Sequence, residues 1–296
     1  MNYKIITDSA SDLPPEIIKK YQLHVIPTPV VINEKTYLDG ETIKTGEFYS
    51  LLDKPENDIK TFHINPHMFE EAFIPYAKAD IEVIYICFST GIAATFNAAN
   101  IAKDVVLGKY PDFKITIIDS KCASIGFGLF VYKLLQMQSN GASPELVKEA
   151  ASFYRSHIKH IFTVETLEYL IKGGRIGKVT GGVAETLSIK PVITMDEAGS
   201  LKVYKLIRGR KASINALVAY VKENGADVEK QTIALCHGED IAGLKRVEDL
   251  VQDILQPKKR IVSIVGCAIG AHTGRGVVGI CFLDASEQQF EDYLDD

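Results

Sequence analysis

The pattern change after Phe88 constrains the fold more than any other feature of the chain. An apolar run over residues 83–88 is followed by Ser89, Thr90 and Gly91, and alanines then recur at helical spacing. This order predicts a buried strand, a tight turn with two hydroxyl groups, and the start of a helix. The first amides of a helix lack internal partners, so such a turn suits an oxyanion, whether phosphate or carboxylate.

Predicted strands and helices alternate through residue 157, including helices over residues 45–52 and from Pro66 to about residue 78. This alternation favours a parallel sheet with helices on both faces. Three of the predicted strands finish in polar residues, namely Thr7-Asp8-Ser9, Ser89-Thr90 and Asp119-Ser120. Ligands of such sheets bind beyond the carboxyl ends of the strands, so we expect a site at this edge.

The pattern changes after about residue 158. Hairpins are then mixed with strand–helix units, and a glycine-rich stretch covers residues 173–182. A length of 296 residues also favours two domains over one. We therefore predict an α/β protein with an N-terminal parallel α/β domain, residues 1–158. A smaller C-terminal α+β domain with a mixed sheet follows, residues 159–296.

The composition excludes several classes of function. A net charge of −5 argues against a nucleic-acid binder. None of the five cysteines forms a C-x-x-C pair, which favours reduced thiols and a cytoplasmic location. We expect neither a signal peptide nor a membrane-spanning helix. The histidine pairs His63/His67 and His157/His160 lack an acidic metal signature, so we expect no metal site.

Two glycine motifs fail as nucleotide-binding sites. Gly177-Lys178 lacks both the earlier glycine and the following Ser or Thr of a phosphate-binding loop. The G-x-G-x-x-G pattern over residues 274–279 leads into a predicted strand rather than a helix. We expect no cofactor.

A serine-type acyl hydrolase that uses Ser89 and His272 remains open as an alternative, although no G-x-S-x-G elbow is present. His272 and Thr273 lie in a glycine-rich segment where the backbone can approach a ligand closely. Arg175 lies beside paired glycines, and Arg208 belongs to a basic cluster. Local positive charge of this kind suits a phosphate or an acidic partner.

The chain resembles the DegV family of bacterial fatty-acid-binding proteins over nearly its whole length. The resemblance is carried by the following segments: 7–14, the Thr61 segment, Ser89-Thr90-Gly91 with Thr95-Phe96, Asp119-Ser120, 167–170 with 173–177, Lys190-Pro191, 208–211 and 270–276.

The resemblance implies one long-chain fatty acid in a tunnel between two domains, and no catalytic residues. It places the carboxylate near Thr61, Phe62, Ser89-Thr90-Gly91, His272 and Thr273. It also implies a fatty-acid kinase partner that converts the bound acid to acyl phosphate for phospholipid synthesis, and it allows transient membrane contact. Arg175 and Arg208 become candidates for the kinase-facing surface or for phosphotransfer. A sensor that changes partners with lipid load is a further alternative.

Some positions depart from the family pattern. Phe62 stands where a serine is common, and Arg275 replaces the proline of the His-Thr-Gly-Pro-Gly segment. A protonated His272 would be the strongest donor to a carboxylate, which predicts that binding weakens at high pH.

Overall fold

The computed structural model describes residues 3–176 and 188–294. Within these residues the strands are β1 (Tyr3–Asp8), β2 (His24–Ile26), β3 (Pro29–Ile32), β4 (Lys35–Leu38), β5 (Ile59–Thr61), β6 (Glu82–Cys87), β7 (Ile115–Asp119), β8 (Ile158–Thr163), β9 (Ile189–Met195), β10 (Leu201–Arg208), β11 (Thr232–His237), β12 (Lys259–Ile264) and β13 (Val278–Leu283). The α-helices are α1 (Pro15–Lys20), α2 (Thr45–Leu52), α3 (Pro66–Lys78), α4 (Thr95–Lys109), α5 (Ser124–Ser139), α6 (Pro144–His157), α7 (Glu168–Lys172), α8 (Arg210–Asn224), α9 (Ile241–Ile254) and α10 (Cys267–Thr273).

The first sheet is parallel, in the order β2-β1-β6-β7, and this confirms the predicted parallel sheet. Its strand β6 is apolar from Val83 onward because both of its faces are covered. Ile84 and Ile86 pack into the core that contains α5, whereas Val83 and Tyr85 pack into the core that contains α3 and α4. The helix after β6 begins at Thr95, so Ser89 and Thr90 lie in a loop ahead of it rather than at its start.

The second sheet has six strands in the order β10-β9-β8-β13-β11-β12. It is mixed, as predicted, because β11 and β12 pair in parallel and the other pairs are antiparallel. Helices α8 and α9 cover one face of this sheet. A third, antiparallel sheet of β4, β3 and β5 lies beside α10.

Helix α5 lies between the two large sheets. It packs against β1 of the parallel sheet and against β8, β11 and β13 of the mixed sheet. Its side chains are buried on almost every side, which explains why its sequence is apolar all round instead of amphipathic.

The predicted domain boundary, after residue 158, falls one residue inside β8, which begins at Ile158 directly after α6 ends at His157. The division into domains 1–158 and 159–296 remains a prediction. In the described part of the chain, no helix has the length and apolar character needed to cross a membrane. The glycine-rich stretch 173–182 lies outside the described residues from Gly177 onward.

Candidate functional site

A cavity of about 980 Å³, open solvent at its mouth included, lies between the two large sheets. Most of its wall is apolar. The apolar side chains on the wall come from both halves of the chain: Phe88, Ile92, Ala93, Ile161, Phe162, Leu170, Met195, Leu201, Val265, Ile269 and Val277. A slender apolar molecule could therefore be buried here with contacts on every side.

Three polar side chains mark one part of this wall. The Thr61 hydroxyl and the His272 Nε2 are 2.6 Å apart and form a hydrogen bond. Arg175 also lines the cavity, is partly buried, and donates from its guanidinium to the carbonyl of Gly173. This polar corner offers a hydroxyl, an imidazole and a positive charge to the same ligand group.

Helix α10 holds His272 in position, and two buried carboxylates bind the start of that helix. Asp12 accepts a hydrogen bond from the Gly266 amide at 2.9 Å, and Asp39 accepts from the Cys267 and Ala268 amides at 3.0 and 3.1 Å. These bonds satisfy amides that a helix start leaves without partners. Residues 12 and 39 thus tie the N-terminal loops to the helix that carries His272.

The His272 imidazole is neutral at physiological pH. Burial, with a further contribution from the nearby Arg175 charge, lowers the pKa of His272 to about 4 from its ordinary 6.5. In the free protein this counts against a protonated His272, because a buried imidazolium next to a guanidinium is unfavourable. Its Nδ1 is buried and has no hydrogen-bond partner among the described residues.

Gly173 has no side chain, and the His272 ring occupies the space that a Cβ atom at this position would fill. A Cβ atom added at Gly173 would overlap Nδ1 of His272. We expect Gly173→Ala to lower the free energy of unfolding by about 1–3 kcal/mol, as overpacking commonly does, measured by urea denaturation. Gly108→Ala in α4 is the control, because an added Cβ there meets nothing within 4 Å. Equal stability of Gly173→Ala and the wild type would contradict this packing.

Ser89, Thr90 and Gly91 do not lie on the cavity wall, contrary to expectation. The Ser89 hydroxyl is fully buried and donates to the Gly199 carbonyl at 2.8 Å, in the turn between β9 and β10. The Thr90 hydroxyl donates to Asp119 at 2.6 Å. Gly91 packs so tightly against Gly199 that a Cβ would clash with its backbone. These residues seat the β9–β10 turn against the loop after β6.

The polar residues that follow β6 and β7 do meet at one edge of the sheet, but they form hydrogen bonds with one another. Asp119 accepts from the Thr90 amide and hydroxyl, and it forms an ion pair with Lys121 at 2.9 Å. Burial alone would raise the pKa of Asp119, but the hydrogen bonds from Thr90 and Lys121 outweigh it and hold the pKa below its usual value. The side chains of Thr90, Asp119 and Lys121 therefore satisfy one another at this edge.

Four other side chains were named in the sequence analysis, and only two of them line the cavity. Phe62 lines the cavity although it is 56% exposed, so it lies at the mouth. Thr273 also lines the cavity, but its hydroxyl donates to the Ile269 carbonyl at 3.3 Å. Arg208 is exposed at the end of β10 and is not on the cavity wall. Arg275 points away from the cavity corner and pairs with Asp53 and Glu239.

Two titratable residues of the wall are not among the residues predicted to bind the carboxylate. Asp8 is 1% exposed, and burial raises its pKa to about 6 although it accepts hydrogen bonds from Tyr85 at 2.7 Å and from the Phe88 amide at 3.4 Å. His160 is 6% exposed and lines the cavity from β8. The polar ending of β1 pointed to Asp8, whereas His160 stood out only as half of a weak histidine pair.

The comparisons with known proteins agree with this architecture. A family model described as "Uncharacterised protein, DegV family" matches residues 2–285. The chain belongs to the DegV family. A DegV domain-containing protein of Clostridium perfringens is 30% identical over 288 residues, which cover 97% of this chain and 99% of the relative.

Two solved structures share the fold, and the description of each names a ligand class. A DegV lipid-binding protein of Thermotoga maritima matches with a TM-score of 0.85 and 26% identity, covering 96% of this chain and 99% of that one. A stearic-acid-binding protein of Eubacterium ventriosum matches with a TM-score of 0.82 and 27% identity, covering 95% and 98%.

The arrangement does not form the nucleophile of a hydrolase. A serine nucleophile needs a hydrogen bond to its histidine base. Here the Ser89 hydroxyl bonds to a backbone carbonyl and His272 bonds to Thr61, so the two are not paired. Residues 3–176 and 188–294 contain no group of three or more His, Cys, Asp or Glu side chains that could hold a metal ion.

Proposed function

We propose that the protein binds one long-chain fatty acid in the cavity and presents its carboxylate to a fatty-acid kinase. The observation that carries this proposal is the polar corner of Thr61, His272 and Arg175 in an otherwise mostly apolar cavity. It is supported by two structurally similar proteins, a DegV lipid-binding protein and a stearic-acid-binding protein.

The acyl chain supplies most of the binding energy in this proposal. Burial of a methylene group contributes ~0.8 kcal/mol, so a chain of roughly 16 carbons gains strongly from leaving water. Walls from both sheets and from α10 surround such a chain. The positions of Thr61 and Arg175 favour an orientation with the carboxylate at the polar corner.

Thr61 is the direct donor to the carboxylate in this proposal. If the neutral His272 carries its proton on Nε2, it donates to the Thr61 oxygen and leaves the Thr61 hydroxyl proton free for the ligand. Arg175 balances the negative charge. Ser89, Thr90 and Gly91 then act indirectly, by seating the β9–β10 turn whose flanking residues Met195 and Leu201 line the cavity.

The kinase would transfer the γ-phosphoryl group of ATP to a carboxylate oxygen and release ADP. Arg175, at the polar corner, is positioned to offset the charge that accumulates there, and the exposed Arg208 is available to the kinase surface. The acyl phosphate formed would enter phospholipid synthesis. Loading and release would involve transient contact with a membrane, because a free fatty acid is sparingly soluble.

Fatty-acid affinity is expected to stay within about twofold between pH 7 and pH 9. The free-protein pKa of His272 is about 4, so the imidazole loses no proton in this range, and the fatty-acid carboxyl is already ionised. Competition with a fluorescent fatty acid at constant ionic strength measures this. A binding step that required protonated His272 would instead lose about tenfold in affinity per pH unit above the pKa of the complex.

Acyl-phosphate formation tests the kinase partnership. We expect ATP-dependent acyl phosphate, trapped by hydroxylamine, only when the protein, a bacterial fatty-acid kinase and a fatty acid are all present. Arg208→Glu should reduce this output and leave fatty-acid affinity unchanged, because Arg208 is not on the cavity wall. Fatty-acid binding without any acyl phosphate would reject the kinase role and retain the carrier role.

A further inference from the structure

His160 is a buried polar side chain on the acyl part of the cavity wall. It lies in the middle of β8, is 6% exposed, and is flanked on the wall by Ile161 and Phe162. Its Nε2 accepts a hydrogen bond from the Ala123 amide at 3.3 Å, at the start of α5. Gly126 makes room for the ring, because a Cβ there would overlap it.

This hydrogen bond decides which ring nitrogen carries the proton. Burial lowers the pKa of His160 to about 4, so the imidazole is neutral at physiological pH. A neutral imidazole whose Nε2 accepts from a backbone amide has its proton on Nδ1. Nδ1–H is thus a donor, and the described residues supply no partner for it.

An acyl chain that covered this donor without pairing with it would lose about 1–3 kcal/mol. Two other polar side chains of this wall have partners: Ser124 donates to Asp12, and Asp8 accepts from Tyr85 and from backbone amides. His160 therefore differs from them in having a free hydrogen-bonding position on a wall that is otherwise suited to hydrocarbon.

We propose that the cavity selects a fatty acid with an oxygen substituent on its chain, a hydroxyl or an oxo group that accepts a hydrogen bond from Nδ1–H of His160. This inference rests on the proposed fatty-acid binding and adds a substrate class to it. A plain saturated chain would leave the donor unpaired, and a site built around such a donor discriminates against ligands that cannot pair with it. The polar corner would then bind the carboxylate, and His160 would bind the oxygen on the chain of the same ligand.

Competition binding with stearic acid and a series of hydroxystearic and oxostearic acids tests this proposal. We expect at least one substituted acid to bind the wild type about fivefold more tightly than stearic acid, the effect of one hydrogen bond. His160→Phe should remove that preference. Phe162→Leu is the matched control: it changes the same strand and wall without touching the donor, and it should keep the preference.

The His160→Phe variant could fail to fold, so a second measurement uses the wild type: NMR of the histidine ring nitrogens. The His160 ring should show the Nδ1–H form, and its Nδ1 resonance should shift with the preferred substituted acid but not with stearic acid. Tight stearic acid binding with no preference for any substituted acid would overturn this inference and leave the carrier role intact. Failure of every acid to bind would overturn both.

Discussion

Ala93→Phe is expected to lower fatty-acid affinity by at least about a hundredfold. Ala93 lies on the cavity wall in the loop between β6 and α4 and is only partly buried, so a phenyl ring placed there enters the cavity. Displacing about four methylene groups of the ligand would cost ~3 kcal/mol, which corresponds to this factor. Competition with a fluorescent fatty acid measures the change.

Ala94→Phe is the matched control for this substitution. Ala94 is the next residue, is exposed, and does not line this cavity, so the same side chain is added outside it. Its fatty-acid affinity should remain within about twofold of the wild type. Equal affinities of Ala93→Phe and Ala94→Phe would show that the acyl chain lies elsewhere.

Thr61→Val is expected to weaken carboxylate binding by about tenfold to a hundredfold. Valine keeps the shape and the strand preference of threonine in β5 but removes the donor to the carboxylate. A hydrogen bond to a charged group contributes roughly 1.5–3 kcal/mol, which sets this range. Isothermal titration with a long-chain fatty acid measures the loss.

The same change at Thr36 provides the control. Thr36 is exposed in β4 of the same small sheet and does not line the cavity. Thr36→Val should leave the affinity unchanged, and both variants should unfold at similar urea concentrations. Thr61→Val with wild-type affinity would remove Thr61 from the head-group site and leave Arg175 as its main determinant.

Much of the fold follows from local sequence patterns. The apolar run of β6 could be predicted because both faces of that strand are covered, so every side chain is selected for burial. The start of α3 follows from the proline at its first position and from the Asn65 side chain, which accepts a hydrogen bond from the Met68 amide. Such signals act over a few residues and need no tertiary information.

The site could be predicted only in part, because its contacts join distant residues. Thr61 and His272 are 211 positions apart, and only the family resemblance brought them together before the structure. A hydroxyl after a strand looks the same in sequence whether it faces a ligand or, as for Ser89, a carbonyl 110 positions away. No local pattern indicates that His160 faces a ligand, since its ring is positioned by Gly126 and the Ala123 amide, which belong to a different element.

The lipid content of the purified protein tests the central claim most directly. The account predicts that organic extraction of the native protein, followed by mass spectrometry, yields about one long-chain fatty acid per chain. Ala93→Phe, purified in parallel, should yield almost none. A wild-type protein that carries no fatty acid and takes up none when it is supplied would contradict the account.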